Sequence, residues 1–138
     1  MSVRNIQPNE RSYSSLIQLS FESGNVEAAL SIVEHMKKIE IKPTEITYSL
    51  VLHGLGRSGE LEKVDQVLQV MKSEDMRPNV VTMSSLIDSF GRLGHFEKAL
   101  LLFKEMQNSN DISNRYMNFF FCFLFLIFNF YLFITYWI

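Results

Sequence analysis

The residues of this chain that could do catalytic or metal chemistry are few, and their spacing assembles none of it. His35, His53 and His95 lie too far apart in sequence to form a helical metal pair. Cys122 is the single cysteine, which rules out an intrachain disulfide framework and a cysteine-rich zinc site. No Gly-rich phosphate loop is present, and no nucleophile stands at a recognisable spacing from a base. The expectation is no catalytic activity, no cofactor and no metal. The formal net charge is −2 and the pI about 5.9, so no overall basic field marks a non-specific polyanion binder. Stacking and edge hydrogen bonding to unpaired bases stay open, because they do not need such a field. The remaining polar candidates are modest. Lys37, Lys38 and Lys42 cluster where cations favour a helix C-terminus, or where they would form a phosphate patch. Thr44 and Asn79 are good helix N-caps, and Ser49 and Ser84 are small polar residues in a first turn.

What organises these residues is a repeat. The 35-residue stretch from Glu45 to Asn79 is preceded by a copy at Glu10–Thr44 and followed by another at Val80–Asn114, without gaps. Tyr13, Tyr48 and Met83 share one column. Leu16–Ile17, Val51–Leu52 and Leu86–Ile87 share another, as do Gly24, Gly59 and Gly94, and Met36, Met71 and Met106. Pro43 and Pro78 close the first two copies, and Pro8 closes a partial copy over residues 1–9. A fixed period in this range indicates stacked units with a shared core.

Each copy reads as two helices. Tyr48, Val51, Leu52 and Leu55 fall on one helical face, repeated by Met83, Leu86, Ile87 and Phe90. Ser58-Gly59-Glu60 breaks the run, since glycine can take the left-handed conformation that closes a helix. A second apolar stripe follows at Leu61, Val64, Leu68 and Met71, matched by Phe96, Ala99, Leu100, Phe103 and Met106. The first copy places Val26, Ala29, Leu30, Val33 and Met36 there. Arg77-Pro78-Asn79 ends the pair, because proline cannot continue a helix. The expected fold class is all-α, an α-solenoid of tandem helix-turn-helix repeats, with a hydrophobic C-terminal segment.

The period of 35, together with "EITYSLVLHGLGRSGELEKVDQVLQVMKSEDMRPN" and "VVTMSSLIDSFGRLGHFEKALLLFKEMQ", resembles the pentatricopeptide repeat over roughly residues 1–110. The sibling tetratricopeptide repeat is one residue shorter, and its Trp-Leu-Gly-Tyr opening is missing here. The uniform period is similar to that of the family's pure class, and the start inside a repeat suggests a fragment of a longer array. The resemblance implies a right-handed superhelix whose first helices line a concave face. It implies binding of single-stranded RNA, one base per repeat, in support of organellar RNA processing, stability, editing or translation. Other organellar RNA-processing proteins are then expected partners, and a plant mitochondrion or chloroplast the expected location, although no transit peptide is visible. Some relatives carry a zinc deaminase with His-x-Glu and Cys-x-x-Cys, and neither motif occurs here. The alternative from another class is a protein-interaction scaffold that uses the same groove for a peptide.

In the family, the fifth residue of a repeat and its last residue read the base edge. Carried over, this pairs Ser14 with Thr44, Ser49 with Asn79, and Ser84 with Asn114. A hydroxyl and an amide supply donors and acceptors suited to a Watson–Crick edge. Ser49–Asn79 resembles the family's adenine-preferring pair. Bases are sandwiched at the second position, here Arg11, Ile46 and Val81; arginine departs from the aliphatic pattern but stacks through its guanidinium plane. A basic residue near the end of the first helix meets phosphate: Arg57 and Arg92 match, and Glu22 departs.

The segment 115–138 is a different material. Phe119 to Ile138 holds eight phenylalanines and no charged residue. As a helix, such a run would reach ~30 Å, enough for a bilayer. Three readings stand: translated non-coding sequence after a failed splice, a membrane anchor that would tether the repeats, or a helix capping the last repeat. The final repeat also loses its closing proline, at Asn110-Asp111-Ile112-Ser113-Asn114.

Overall fold

Helix boundaries follow from capping residues and glycines at fixed columns. A computed structural model describes residues 8–108 and 131–137. Its helices are α1 (Glu10–Glu22), α2 (Val26–Lys38), α3 (Glu45–Ser58), α4 (Leu61–Ser73), α5 (Val80–Arg92) and α6 (Phe96–Asn108). A further helical stretch covers 131–137. The class is all-α, built of tandem helix pairs. Asn9 and Asn79 open α1 and α5, their side chains accepting from the backbone N–H of Ser12 and Thr82. Thr44 opens α3 through a capping box with Thr47. Between the helices of each pair the chain passes through Gly24, Gly59 or Gly94, at φ of 77°, 77° and 82°. A Cβ is disfavoured at this angle, which is why the column is glycine throughout.

The chain divides into two compact units. The first, Met1–Pro78, contains α1 to α4. There α1 packs on both α2 and α3, and α3 on α4. Ile17, Ala29, Met36, Val51, Leu52, Leu55, Val64 and Met71 are fully buried. Phe21 of α1 lies against Gly54 of α3: a Cβ at Gly54 would fall inside the contact radius of the ring. Lys63 of α4 reaches Glu27 of α2 at 2.7 Å. The ring of His35 stands 6.0 Å from that of Tyr13, a packing role for that histidine.

The second unit, Asn79–Ile138, contains α5, α6 and the 131–137 stretch. α5 packs on α6, and Leu86, Phe90, Ala99, Leu102 and Met106 are buried. Most of 115–138 lies outside the described residues. Within 131–137 the side chains are largely exposed, with Phe133 and Trp137 stacked at 5.8 Å. Among the described residues no helix is long and apolar enough to cross a membrane.

Two apolar stripes depart from the sequence expectation. Leu100 is 50% exposed, and Leu102 is buried in its place. The column shared with Leu100 holds Asp65 in the second repeat, so it cannot be a core column; that of Leu102 is Ile32 and Val67. Leu16 is 48% exposed although Val51 and Leu86 in its column are buried, because among the described residues nothing closes over it.

Candidate functional site

The candidate residues of each first helix fall on one line. In α3, Ile46, Ser49, His53 and Arg57 stand at i, i+3, i+7 and i+11, a stripe about 16 Å long beside the buried Tyr48–Val51–Leu52–Leu55 face. Ile46 projects into solvent, 67% exposed, as does Val81 of α5 at 71%. Leu19 and Leu101 are comparably exposed, at 60%, but Ile46 and Val81 recur at the same column, and burial would stabilise either side chain. Arg11 is exposed at the equivalent place on α1.

The fifth-position serines behave unlike their neighbours. Ser15, Ser20, Ser73 and Ser89 each donate a hydroxyl proton to a main-chain carbonyl three or four residues back. Ser14 and Ser49 are half-buried, and neither hydroxyl makes a hydrogen bond among the described residues. Ser84 is buried, and its Oγ has no partner among them. A buried hydroxyl without a partner costs free energy unless something else bonds it.

Charge along the stripe differs from helix to helix. Arg57 is exposed and forms no ion pair among the described residues. Arg92 is bound by Asp88 one turn earlier on α5. In α1 the same column carries Glu22, whose Oε1 accepts from Gln18 Nε2 at 3.1 Å. The position between the serine and the basic residue therefore decides whether a cation is available. Sequence reasoning passed over it, although the i,i+4 spacing of Asp88 and Arg92 was its signal.

The last-position residues also differ. Asn79 is exposed, and its Oδ1 accepts from Thr82 N at 2.8 Å. Thr44, besides its capping box, donates its hydroxyl proton to Glu10 Oε1 at the start of α1. Thr47 Oγ1 donates to the same oxygen at 3.2 Å and accepts from Thr44 N at 3.3 Å. Thr44 is thus held at the N-terminus of α1, one turn before Ser14. Glu10 and Thr47 were missed in the sequence. Asn114 lies outside the described residues.

Behind the stripe, Tyr48 fixes α3 to the end of α4. Its hydroxyl donates to Glu74 Oε1 at 3.3 Å. Burial, then the Glu74 charge and this bond, then Glu34, push the phenol up to about 12.

Comparison with known proteins places this geometry. The family profile described as the pentacotripeptide-repeat region of PRORP matches residues 1–109. Among curated proteins no sequence matches. The chain is similar to the crystal structure of the pentatricopeptide repeat protein PPR10 from maize, with TM-score 0.64 and 25% identity over 80% of this chain. It spans 16% of that protein's length. It is also similar in fold to PPR10 in complex with an 18-nt psaJ RNA element, with TM-score 0.65, 23% identity and 75% of this chain covered against 15% of that one. A triple cysteine-to-serine variant of PPR10 with the same RNA gives the same figures.

Proposed function

The chain belongs to the pentatricopeptide-repeat family, and from that premise we propose that it binds single-stranded RNA along its first helices. Each repeat takes one base. Arg11, Ile46 and Val81 flank the bases. Ser14 with Thr44, Ser49 with Asn79, and Ser84 with Asn114 meet their edges, and Arg57 and Arg92 meet phosphate. The repeats are Glu10–Thr44, Glu45–Asn79 and Val80–Asn114. The observation that carries this reading is the pairing, on one helical line, of the outward Ile46 with the half-buried Ser49, whose hydroxyl bonds nothing among the described residues; the Ser84 hydroxyl is closed to solvent and has to be uncovered to meet a base. Apolar flanks suit the faces of unpaired bases, and unbonded hydroxyls suit their edges. Ser49 with Asn79 is assigned to adenine. The expected biological setting is an organellar transcript in a mitochondrion or chloroplast, with the chain supporting its processing, stability, editing or translation beside other RNA-processing proteins.

Binding of the chain to short adenine-rich and pyrimidine-rich RNAs at low salt tests this. The expected result is an adenine preference that weakens in Ser49→Asn. Equal binding to both RNAs, unchanged by the substitution, would sink the base-reading role.

A further inference from the structure

We propose that Glu10 fixes the hydrogen-bond polarity of Thr44, making it an acceptor-only reader, whereas the helix cap orients Asn79 so that its amide N–H donors face outward. The inference rests on the RNA-binding reading above and adds what each boundary residue selects. A threonine hydroxyl has one proton and can turn it toward any acceptor in reach. In this structure the proton of Thr44 is directed at Glu10 Oε1. Thr47 supplies a second proton to the same oxygen, at 3.2 Å, and its own oxygen holds the backbone N–H of Thr44 at 3.3 Å. The threonine is therefore fixed at its main chain and at its hydroxyl. Bonds to a carboxylate are charge-assisted and stronger than those a neutral base edge offers in exchange. One lone pair of its oxygen faces the Thr47 N–H in the capping box, so what Thr44 presents outward is the remaining lone pair alone. It selects a base edge with a donor, such as an exocyclic amine.

Asn79 has the opposite constraint. Its Oδ1 is held by the Thr82 N–H at 2.8 Å. Turning the amide over would place its NH2 group against that N–H and lose the cap. The exposed side chain thus presents two N–H donors and selects a ring-nitrogen or carbonyl acceptor. Two repeats with the same serine at the fifth position differ in the sign of their second contact. Glu10 touches no base in this scheme; it is a positioning residue.

Base analogues separate the two signs. A short RNA would carry purine riboside, which lacks the exocyclic amine of adenine, at successive positions. A second series would carry 1-deazaadenine, which lacks the N1 acceptor. The position facing the first repeat is the one whose sensitivity changes in Thr44→Val. There, loss of the amine is expected to weaken binding about fivefold in the native chain and less than about twofold in Glu10→Ala, whose freed hydroxyl can donate. The penalty for 1-deazaadenine opposite Asn79 stays unchanged in Glu10→Ala. Because that variant could loosen the start of α1, the Thr44 hydroxyl proton is followed by NMR. It is expected in slow exchange in the native chain and in fast exchange in Glu10→Ala with the helical signal intact. Indifference to the amine, or equal penalties in the native chain and Glu10→Ala, overturns the inference while Ser49→Asn still alters preference at the second repeat. Absence of RNA binding, or no effect of Ser49→Asn, overturns the underlying reading and this inference with it.

Discussion

α3 and α5 occupy the same register of successive repeats and present their polar stripes differently. Both bury four apolar residues at the same columns, and both leave an aliphatic exposed at the second position. On α3 the arginine is unpaired among the described residues; on α5 Asp88 holds it. Behind the stripe, Gly54 of α3 receives the ring of Phe21, whereas Ser89 at the same column bonds the carbonyl of Ser85 at 2.9 Å. Tyr48 is tied to Glu74, and its counterpart is Met83. Packing fixes the columns that face inward, and the outward ones are free to vary in charge. Differences in binding between these two repeats should therefore arise from the i+7 and i+11 positions, and differences in stability from the joint behind them.

The largest effect that would break this contrast is expected at Gly54. Gly54→Ala should destabilise the chain by about 1–3 kcal/mol, because the ring meets the new methyl near its own Cβ and must move as a whole. Ser89→Ala, which removes only a hydroxyl, should cost about 1 kcal/mol or less. Urea denaturation checks both, and a loss at Gly54→Ala that persists undiminished in the Phe21→Ala background would refute the wedge. Next in size is Arg57→Ala, expected to weaken RNA binding about fivefold and to flatten its salt dependence by one phosphate's worth, against less than about twofold for Arg92→Ala. Asp88→Asn should then raise affinity and make Arg92 as sensitive as Arg57; fluorescence anisotropy across a salt series decides.

Tyr48 provides a smaller effect with a defined sign. Its phenol is raised to about 12 in the folded chain, so the native state retains the proton after the unfolded state, near 10, has lost it. The stabilisation is complete below pH 10 and is lost as pH rises toward 12. Tyr48→Phe should be less stable at neutral pH by about 1 kcal/mol, with a flatter decline in that alkaline window. Thermal melts across pH 8–12 would show it, and identical slopes for the two proteins would refute it. Smallest are the turns ahead of α3 and α5, where Glu40 and Asp75 sit at φ of 62° and 57°. Glycine at either should raise stability by up to about 1 kcal/mol, and by similar amounts at both. A twofold disparity in their melting shifts would show that the two joints are not equivalent.

Much of this was legible in the sequence where one residue type fills a column for one physical reason. The Gly24–Gly59–Gly94 column predicts a positive φ, and it has one in all three repeats. The apolar face of α3 is legible for the same reason. Leu100 shows the limit of reading a single copy: its helix allows several apolar stripes, and only Asp65 in the same column rules one out. The environment of the site was less accessible. Ser14, Ser49 and Ser84 are alike in sequence yet differ in burial, since exposure depends on neighbours from other elements. Glu10 was invisible because its partner lies 34 residues away, at the far end of the same repeat, where Thr44 also reads as an ordinary cap.

The Lys63–Glu27 bridge has a mechanical consequence. It joins the second helices of the first two repeats on a solvent-facing rim, whereas Phe21 and Gly54 join their first helices through an uncharged contact. Dissolved ions screen the former and leave the latter untouched. One edge of the first unit is therefore held by packing, and the other carries an exposed ion pair that ionic strength weakens. Rising salt should let the second helices splay about the Phe21 pivot, changing the rise per repeat without unfolding any helix.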